Sequence, residues 1–272
     1  MDSILLPVVI VSVIGLLAGI MLAVASKFMA VKVDETFEKI RAELPGANCG
    51  ACGYAGCDEY ANHVADKTAK TNLCIPGGDS VSKKLSEILG VAFEDVIEQY
   101  AIVRCSGVCG ATEYIMDYQG PKNCEACNTF YEGRGSCSYS CLGFGDCVAV
   151  CKYDAIHIID GIAYVDKQKC TGCGMCAKAC PKAIINIIPA TSNVYVACSS
   201  KDKGAFTRKI CKNGCIGCKK CEKVCEAGAI VVNDNLAAVD PNKCTNCGKC
   251  IEGCPTGVIR NYFCAEYVPQ KA

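Results

Sequence analysis

The chemistry of this chain is concentrated in its cysteines, of which there are 27 among 272 residues. Disulfide partners show no fixed short spacing, whereas the thiolate ligands of an iron-sulfur cluster come in tight runs because several of them must converge on one cuboidal core. The cysteines of this chain do come in tight runs. We therefore predict metal ligation in a reducing compartment and not a disulfide scaffold.

Two runs have the spacing C-x2-C-x2-C-x3-C that is typical of two-cluster bacterial ferredoxins. Their members are Cys170, Cys173, Cys176 and Cys180, and Cys244, Cys247, Cys250 and Cys254. In such proteins three thiolates of a run bind one cluster and the fourth reaches the neighbouring cluster, so each run needs a partner run. The second run has a regular partner. We predict two [4Fe-4S] clusters there, one bound by Cys215, Cys218, Cys221 and Cys254 and the other by Cys225, Cys244, Cys247 and Cys250.

The partner of the first run is irregular, because Phe144 stands where the second copy has Cys218. A ligand must then come from elsewhere, and Cys137, four residues before Cys141, is the natural substitute. The two predicted clusters are bound by Cys137, Cys141, Cys147 and Cys180, and by Cys151, Cys170, Cys173 and Cys176.

A fifth group precedes these runs and consists of Cys49, Cys52, Cys57 and Cys74. Glycines interleave with its first three members, and they let backbone amides approach cluster sulfurs, which tunes the reduction potential. We predict a fifth [4Fe-4S] cluster here. Four thiolates also suit a structural zinc ion, which is the alternative for this group.

Seven cysteines remain, and they leave a sixth site open: Cys105, Cys109, Cys124, Cys127, Cys198, Cys211 and Cys264. One possible set of ligands is Cys105, Cys109, Cys124 and Cys127, and a second set is Cys105, Cys124, Cys198 and Cys211. Cys264 is predicted to be a buried or free thiol. His63 and His157 are predicted to be ordinary surface or core residues.

The elements that position these runs are duplicated. Adding 74 to the numbers of nine cysteines, from Cys124 to Cys180, gives the number of another cysteine in every case, so we predict two tandem copies of one unit. Helices are expected after Asp34, over Ser80 to Leu89 and over Phe93 to Arg104. The predicted fold class is α+β, with a transmembrane anchor (1–30), a small helical four-cysteine domain (31–104) and two bacterial-ferredoxin-like modules (105–197 and 198–272).

The first 30 residues predict a single membrane span. Ile4 to Ser26 contain no ionisable side chain, and as a helix they would cross a hydrocarbon core of about 30 Å. A cleaved signal peptide is the alternative, but Asp2 stands where a basic segment would be expected. Basic residues follow the span, which predicts cytoplasmic C-terminal domains on a bacterial cell membrane, with the lipid bilayer as a partner.

The formal net charge is zero, so no nucleic-acid partner is predicted. Charge is nevertheless uneven, because eight basic residues surround one cysteine run. This basic collar consists of Lys201, Lys203, Arg208, Lys209, Lys212, Lys219, Lys220 and Lys223. We predict that a small acidic ferredoxin docks near it, the alternative being a solvated cationic face without a partner.

Taken together, these features resemble the B subunit of the Rnf complex, a membrane-bound ferredoxin:NAD oxidoreductase that moves Na+ or protons. The resemblance is carried by the N-terminal anchor, the segment C-G-A-C-G-Y-A-G-C from Cys49 to Cys57 with Cys74, and polyferredoxin repeats that include C-L-G-F-G-D-C at Cys141 and G-C-I-G-C at Gly214. It covers nearly the whole chain.

The resemblance implies a subunit that takes electrons from reduced ferredoxin and passes them to other membrane and peripheral subunits through [4Fe-4S] clusters. It also implies that nicotinamide and flavin bind elsewhere, so this chain has no complete active site and no catalytic residue of its own. No strand-linked G-x-G-x-x-G occurs in the sequence, in agreement with this. The alternatives are a membrane-tethered polyferredoxin that serves a different reductase, and a zinc-bound scaffold.

Overall fold

The structure is a computed structural model that describes residues 2–28 and 35–261. Ten α-helices and eight short strands lie in these two ranges. The strands form four separate two-stranded antiparallel sheets. Cys264 and Asp34, for which sequence predictions were made, lie outside the described residues.

The first helix, α1 (Asp2–Phe28), is apolar on all sides. Its side chains are described at residue 8 and residues 10–26, and the large apolar ones among them are exposed, as for Val11 (69%) and Met21 (74%). Over the described residues, however, no helix meets the length and hydropathy needed to cross a membrane. The predicted transmembrane anchor is therefore not shown by the structure.

A small helical domain follows, built from α2 (Glu35–Glu43), α3 (Cys57–Ala65) and α4 (Gly78–Leu89). Each helix buries one apolar face, and Ile40, Tyr60 and Leu85 form its core with less than 2% exposure. The helix α4 confirms the expectation for Ser80 to Leu89, and Gly90 ends it in the left-handed conformation.

The expected helix over Phe93 to Arg104 is wrong. Residues 93–98 have no regular structure, and β1 (Gln99–Val103) is a strand whose last four residues are all buried. It pairs antiparallel with β4 (Ile185–Pro189). Short apolar runs do not distinguish helix from strand by periodicity, and burial on both sides favours the strand here.

Two equivalent hairpins form the centres of the modules. They consist of β2 (Ile156–Ile159) with β3 (Ile162–Val165), and of β6 (Ile230–Asn233) with β7 (Leu236–Val239). Each hairpin turns through two residues with positive φ, Asp160-Gly161 and Asp234-Asn235, as a tight hairpin turn requires. The hairpins lie 74 residues apart, so the duplication predicted from the cysteines extends to the backbone.

Short helices hold the cysteine runs against these hairpins. They are α6 (Asp146–Ala149) and α7 (Met175–Ala179) in the first module, and α9 (Lys220–Val224) and α10 (Lys249–Glu252) in the second. Two further helices, α5 (Cys124–Asn128) and α8 (Gly204–Ile210), lie between the outer strands and the first cysteine run of each module.

The outer strands show where the two copies differ. In the second module β5 (Val194–Val196) pairs with β8 (Ile259–Asn261), as β1 pairs with β4 in the first. Both β1 and β5 therefore lie in the sheets of the modules, upstream of the predicted domain boundaries at 104 and 197. Val103 and Val196 each stand two residues before a cysteine and are 93 positions apart instead of 74. The first copy thus carries a 19-residue insertion after β1.

Candidate metal centres

All 26 cysteines in the described part of the chain are free thiols. Most of them are buried or half-buried, and they line cavities whose remaining walls are apolar. This distribution is inconsistent with the disulfide alternative. Within those residues, no set of three or more His, Cys, Asp or Glu side chains is placed to hold a single metal ion.

The second module brings together the thiols of both sets predicted for it. A cavity of about 330 Å³ is lined by Cys215, Cys218, Cys221 and Cys254, with Val232 and Ile259 among its apolar walls. The neighbouring set is seen from Cys250, whose pKa is raised to about 11 by burial and then by the nearby thiols Cys244, Cys247 and Cys225. Both sets share one hydrophobic core.

One cavity of the first module, about 310 Å³, also contains a predicted set: Cys151, Cys170, Cys173 and Cys176. The second cavity, about 370 Å³, does not. It is lined by Cys124, Cys141, Cys147 and Cys180, so Cys124 and not Cys137 stands with the last three. The substitution of Cys137 was inferred from proximity along the chain, but the insertion folds back and delivers Cys124 at the start of α5 instead.

Cys137 lies in a separate cavity of about 350 Å³ between the two modules, together with Cys105, Cys198 and Cys211. Neither of the two sets considered for a sixth site from the sequence has this membership. Cys105 and Cys198 follow the equivalent strands β1 and β5, and Cys137 and Cys211 are equivalent in the 74-residue repeat. Each module therefore contributes the same two thiols to this inter-module group.

Reciprocal hydrogen bonds join the modules beside that group. Ser106 Oγ donates to the carbonyl of Ala197 at 2.9 Å, and Ser199 Oγ donates to the carbonyl of Arg104 at 3.0 Å. Because each serine follows an equivalent cysteine and each carbonyl precedes one, the contact has local twofold symmetry.

In the helical domain, Cys49, Cys52, Cys57 and Cys74 come together. Burial raises the pKa of Cys74 to about 11, and the nearby thiols Cys57, Cys52 and Cys49 add to the rise. Asn48 fixes the start of α3, because its Oδ1 accepts the backbone N–H of Cys57 at 2.9 Å. Gly50 and Gly53, at φ +70° and +89°, allow the loop to wrap around the group.

The donor set of these groups fits iron-sulfur clusters. Thiolate is the ligand form of cysteine, and burial opposes it, raising the pKa of Cys105, Cys147 and Cys176 to about 12. A cationic iron core offsets this cost, as do backbone N–H donors. Such donors are present at equivalent places: Ala155 N lies 3.4 Å from Cys151 Sγ and Ala229 N lies 3.3 Å from Cys225 Sγ.

The other candidates lie apart from these groups. Cys109 is exposed, and Cys127 is fully buried beside Cys124 without lining any of the cavities described. The ring of His63 stacks on Tyr54 with centroids 4.8 Å apart, and its Nδ1 is 2.9 Å from Thr68 Oγ1. His157 lies in β2.

Domain families match the chain at three places. A putative Fe-S cluster domain covers residues 44–76, a 4Fe-4S binding domain covers 163–186, and a 4Fe-4S dicluster domain covers 214–258. The fold and the thiol groups, together with these matches, define an iron-sulfur protein of the polyferredoxin class that uses [4Fe-4S] clusters.

Similar proteins narrow this class. The chain is 40% identical to the B subunit of the Na(+)-translocating ferredoxin:NAD(+) oxidoreductase complex of Acetobacterium woodii, over 89% of this chain and 73% of that protein. It is 38% identical to the B subunit of the ion-translocating oxidoreductase complex of Methanosarcina acetivorans (89% and 93%). It is also 38% identical to the B subunit of the proton-translocating ferredoxin:NAD(+) oxidoreductase complex of Clostridium ljungdahlii (88% and 85%). The chain belongs to this family of B subunits of ion-translocating oxidoreductase (Rnf) complexes, which confirms the resemblance seen in its sequence.

Proposed function

We propose that this chain accepts electrons from reduced ferredoxin and relays them through six [4Fe-4S] clusters to the membrane subunits of its complex. The chain is an iron-sulfur electron-transfer subunit of an ion-translocating ferredoxin:NAD oxidoreductase. When bound, each cluster supplies a one-electron redox centre. The protein itself supplies the thiol ligands, their backbone N–H donors and apolar walls that exclude water.

The observation that carries this proposal is that the thiol groups follow one another without a break. From the helical domain to the first module, Lys178 Nζ donates to the carbonyl of Cys49 at 2.7 Å. Cys173 of that module is near enough to Cys49 for its charge to raise the Cys173 pKa, in addition to the larger effect of burial. Cys147 and Cys176 interact in the same way between the two groups of the first module.

The inter-module group continues the series on both sides. Cys141 N lies 3.4 Å from Cys105 Sγ, and Cys215 N lies 3.4 Å from Cys198 Sγ. These are equivalent contacts, since Cys141 and Cys215 are 74 residues apart. A backbone N–H of the next group therefore points at a thiol of the inter-module group from each module, which supports a sixth cluster that joins the two ferredoxin-like halves.

The basic collar supports the choice of the second module as the ferredoxin-docking end. Lys219, Lys220 and Lys223 stand at or on α9, next to Cys218, whose side chain is exposed. An exposed ligand beside clustered lysines suits an acidic donor, because complementary charge raises the rate of encounter. Electrons would then travel from the second module towards the group at Cys49.

Attachment to the membrane through residues 1–30 is part of the proposal. The sequence from Ile4 to Ser26 has no ionisable side chain, and the described apolar side chains of α1 are exposed. An exposed apolar helix needs a covering, and a single-pass position in the cytoplasmic membrane provides one. The other domains would then face the cytoplasm.

Quantitation of metal and sulfide in the anaerobically purified chain tests the proposal. Six [4Fe-4S] clusters require about 24 irons and as many sulfides per chain, together with a brown colour. A colourless, sulfide-free protein that contains zinc would contradict it. Co-purification with integral membrane subunits and ferredoxin-dependent reduction of NAD distinguish this function from that of a tethered polyferredoxin serving another reductase.

A further inference from the structure

The first module has a gap in its ligand pattern and a device that compensates for it. Where the second copy reads Gly217-Cys218-Lys219-Lys220-Cys221, the first reads Gly143-Phe144-Gly145-Asp146-Cys147. The thiol that stands nearest the missing position is Cys124, which arrives from the insertion. It is the first residue of α5, a helix of five residues, which is too short to be stable by itself.

The carboxylate of Asp146 holds the start of α5. Its Oδ1 accepts the backbone N–H of Cys124 at 2.8 Å, and its Oδ2 accepts that of Glu125 at 3.1 Å. Both oxygens are thus used on consecutive residues of the insertion. Bonds to an ionised acceptor are stronger than neutral ones, and they fix the direction in which the Cys124 backbone faces the cavity.

The contact runs in both directions. Backbone N–H groups of Asp146, Phe144 and Gly145 point at the Cys124 thiol, where they oppose the rise in pKa that burial causes. The segment at 144–146 therefore holds Cys124 by its sulfur and by its amide at once. Phe144 itself packs beside Cys124, Cys127 and Leu142, so its ring fills space on the same side.

We propose that Asp146 is a positioning residue, which places Cys124 as the fourth ligand of the group with Cys141, Cys147 and Cys180. The proposal rests on the function given above, in which that group holds a [4Fe-4S] cluster. The second copy has no need of such a device, because Cys218 is part of the run itself. The residue equivalent to Asp146 there is accordingly Lys220, which cannot accept these hydrogen bonds.

Four variants of the full chain test the role of Asp146 by iron content, electron paramagnetic resonance and redox titration. In Asp146→Ala the two N–H groups lose their acceptor, and we expect loss of iron from one cluster and a three-iron signal in the oxidised protein. Asp146→Asn keeps an acceptor oxygen, so iron is retained, while removal of the negative charge shifts the midpoint potential of that cluster upwards. Asp117→Asn removes the same charge from the insertion without touching Cys124, and we expect no change.

Cys124→Ser separates the two levels of the argument. Loss of iron in Cys124→Ser, with wild-type iron and spectrum in Asp146→Ala, would overturn the role of Asp146 and leave the cluster in place. A full iron content in Cys124→Ser would instead overturn the cluster assignment on which that role depends.

Discussion

At the scale of the residue, the thiols are sorted by burial and by what points at them. Cys105 and Cys198 are both buried, and each accepts a backbone N–H from the first cysteine of the next group. Cys109, only four residues after Cys105, is exposed and belongs to no cavity described here. Neighbours in sequence thus have different roles, and spacing by itself does not separate them.

Replacement of Cys137 tests the inter-module group. In Cys137→Ser we expect up to about four irons to be lost, and the second module should still be reduced by ferredoxin while reduction of the Cys49 group slows at least tenfold. Rapid-mixing spectroscopy of the purified chain measures both. Cys109→Ser is the matched control and should behave as the unsubstituted chain does. Equal rates at the Cys49 group in Cys137→Ser and Cys109→Ser would remove this group from the path.

At the scale of the element, the two modules share one plan and differ in a single insertion. The regular runs predicted the sets in the second module, since a helix and a hairpin place them in the same way each time. The insertion could not be predicted in this way, because nothing in the spacing says that α5 folds back to Asp146. The signals that were available are Asn123, whose Oδ1 accepts from Ala126 N at 2.7 Å as a helix N-cap, and Asp146 itself.

Charge reversal on α9 tests the basic collar. In the triple variant Lys219→Glu, Lys220→Glu and Lys223→Glu we expect reduction by ferredoxin to slow about tenfold or more and to lose most of its dependence on salt, because steering by charge is screened by ions. Stopped-flow rates over a range of ionic strength measure this.

The matched control reverses three lysines of the other domains, Lys39, Lys67 and Lys122. A rate that falls equally in both triple variants would indicate a general effect of net charge, and an unchanged rate in the α9 variant would place the docking site elsewhere.

At the scale of the whole molecule, the chain is a series of small cores, each built around thiols. Apolar residues such as Ile156 and Ile230 occupy equivalent places in the two modules, so the sequence was sufficient for their architecture. The strand β1 was not predictable from its apolar pattern, because its burial depends on β4, about 85 residues further along the chain. Tertiary pairing of this kind is absent from any local window.

Removal of residues 1–30 tests membrane attachment. We expect the shortened chain to move from the membrane fraction to the soluble fraction with its iron content unchanged, because no thiol group includes these residues. Fractionation and iron analysis measure the two properties. A shortened chain that stays with the membranes after a high-salt wash would show that other contacts suffice for attachment.

The paired serine contacts between the modules have a consequence for the origin of the chain. Residue i of one copy meets residue j of the other while j meets i, which is the rule of an isologous dimer interface. Here the rule is obeyed within a single polypeptide. The joint is that of two identical ancestral subunits sharing one cofactor across their symmetry axis, later fused head to tail.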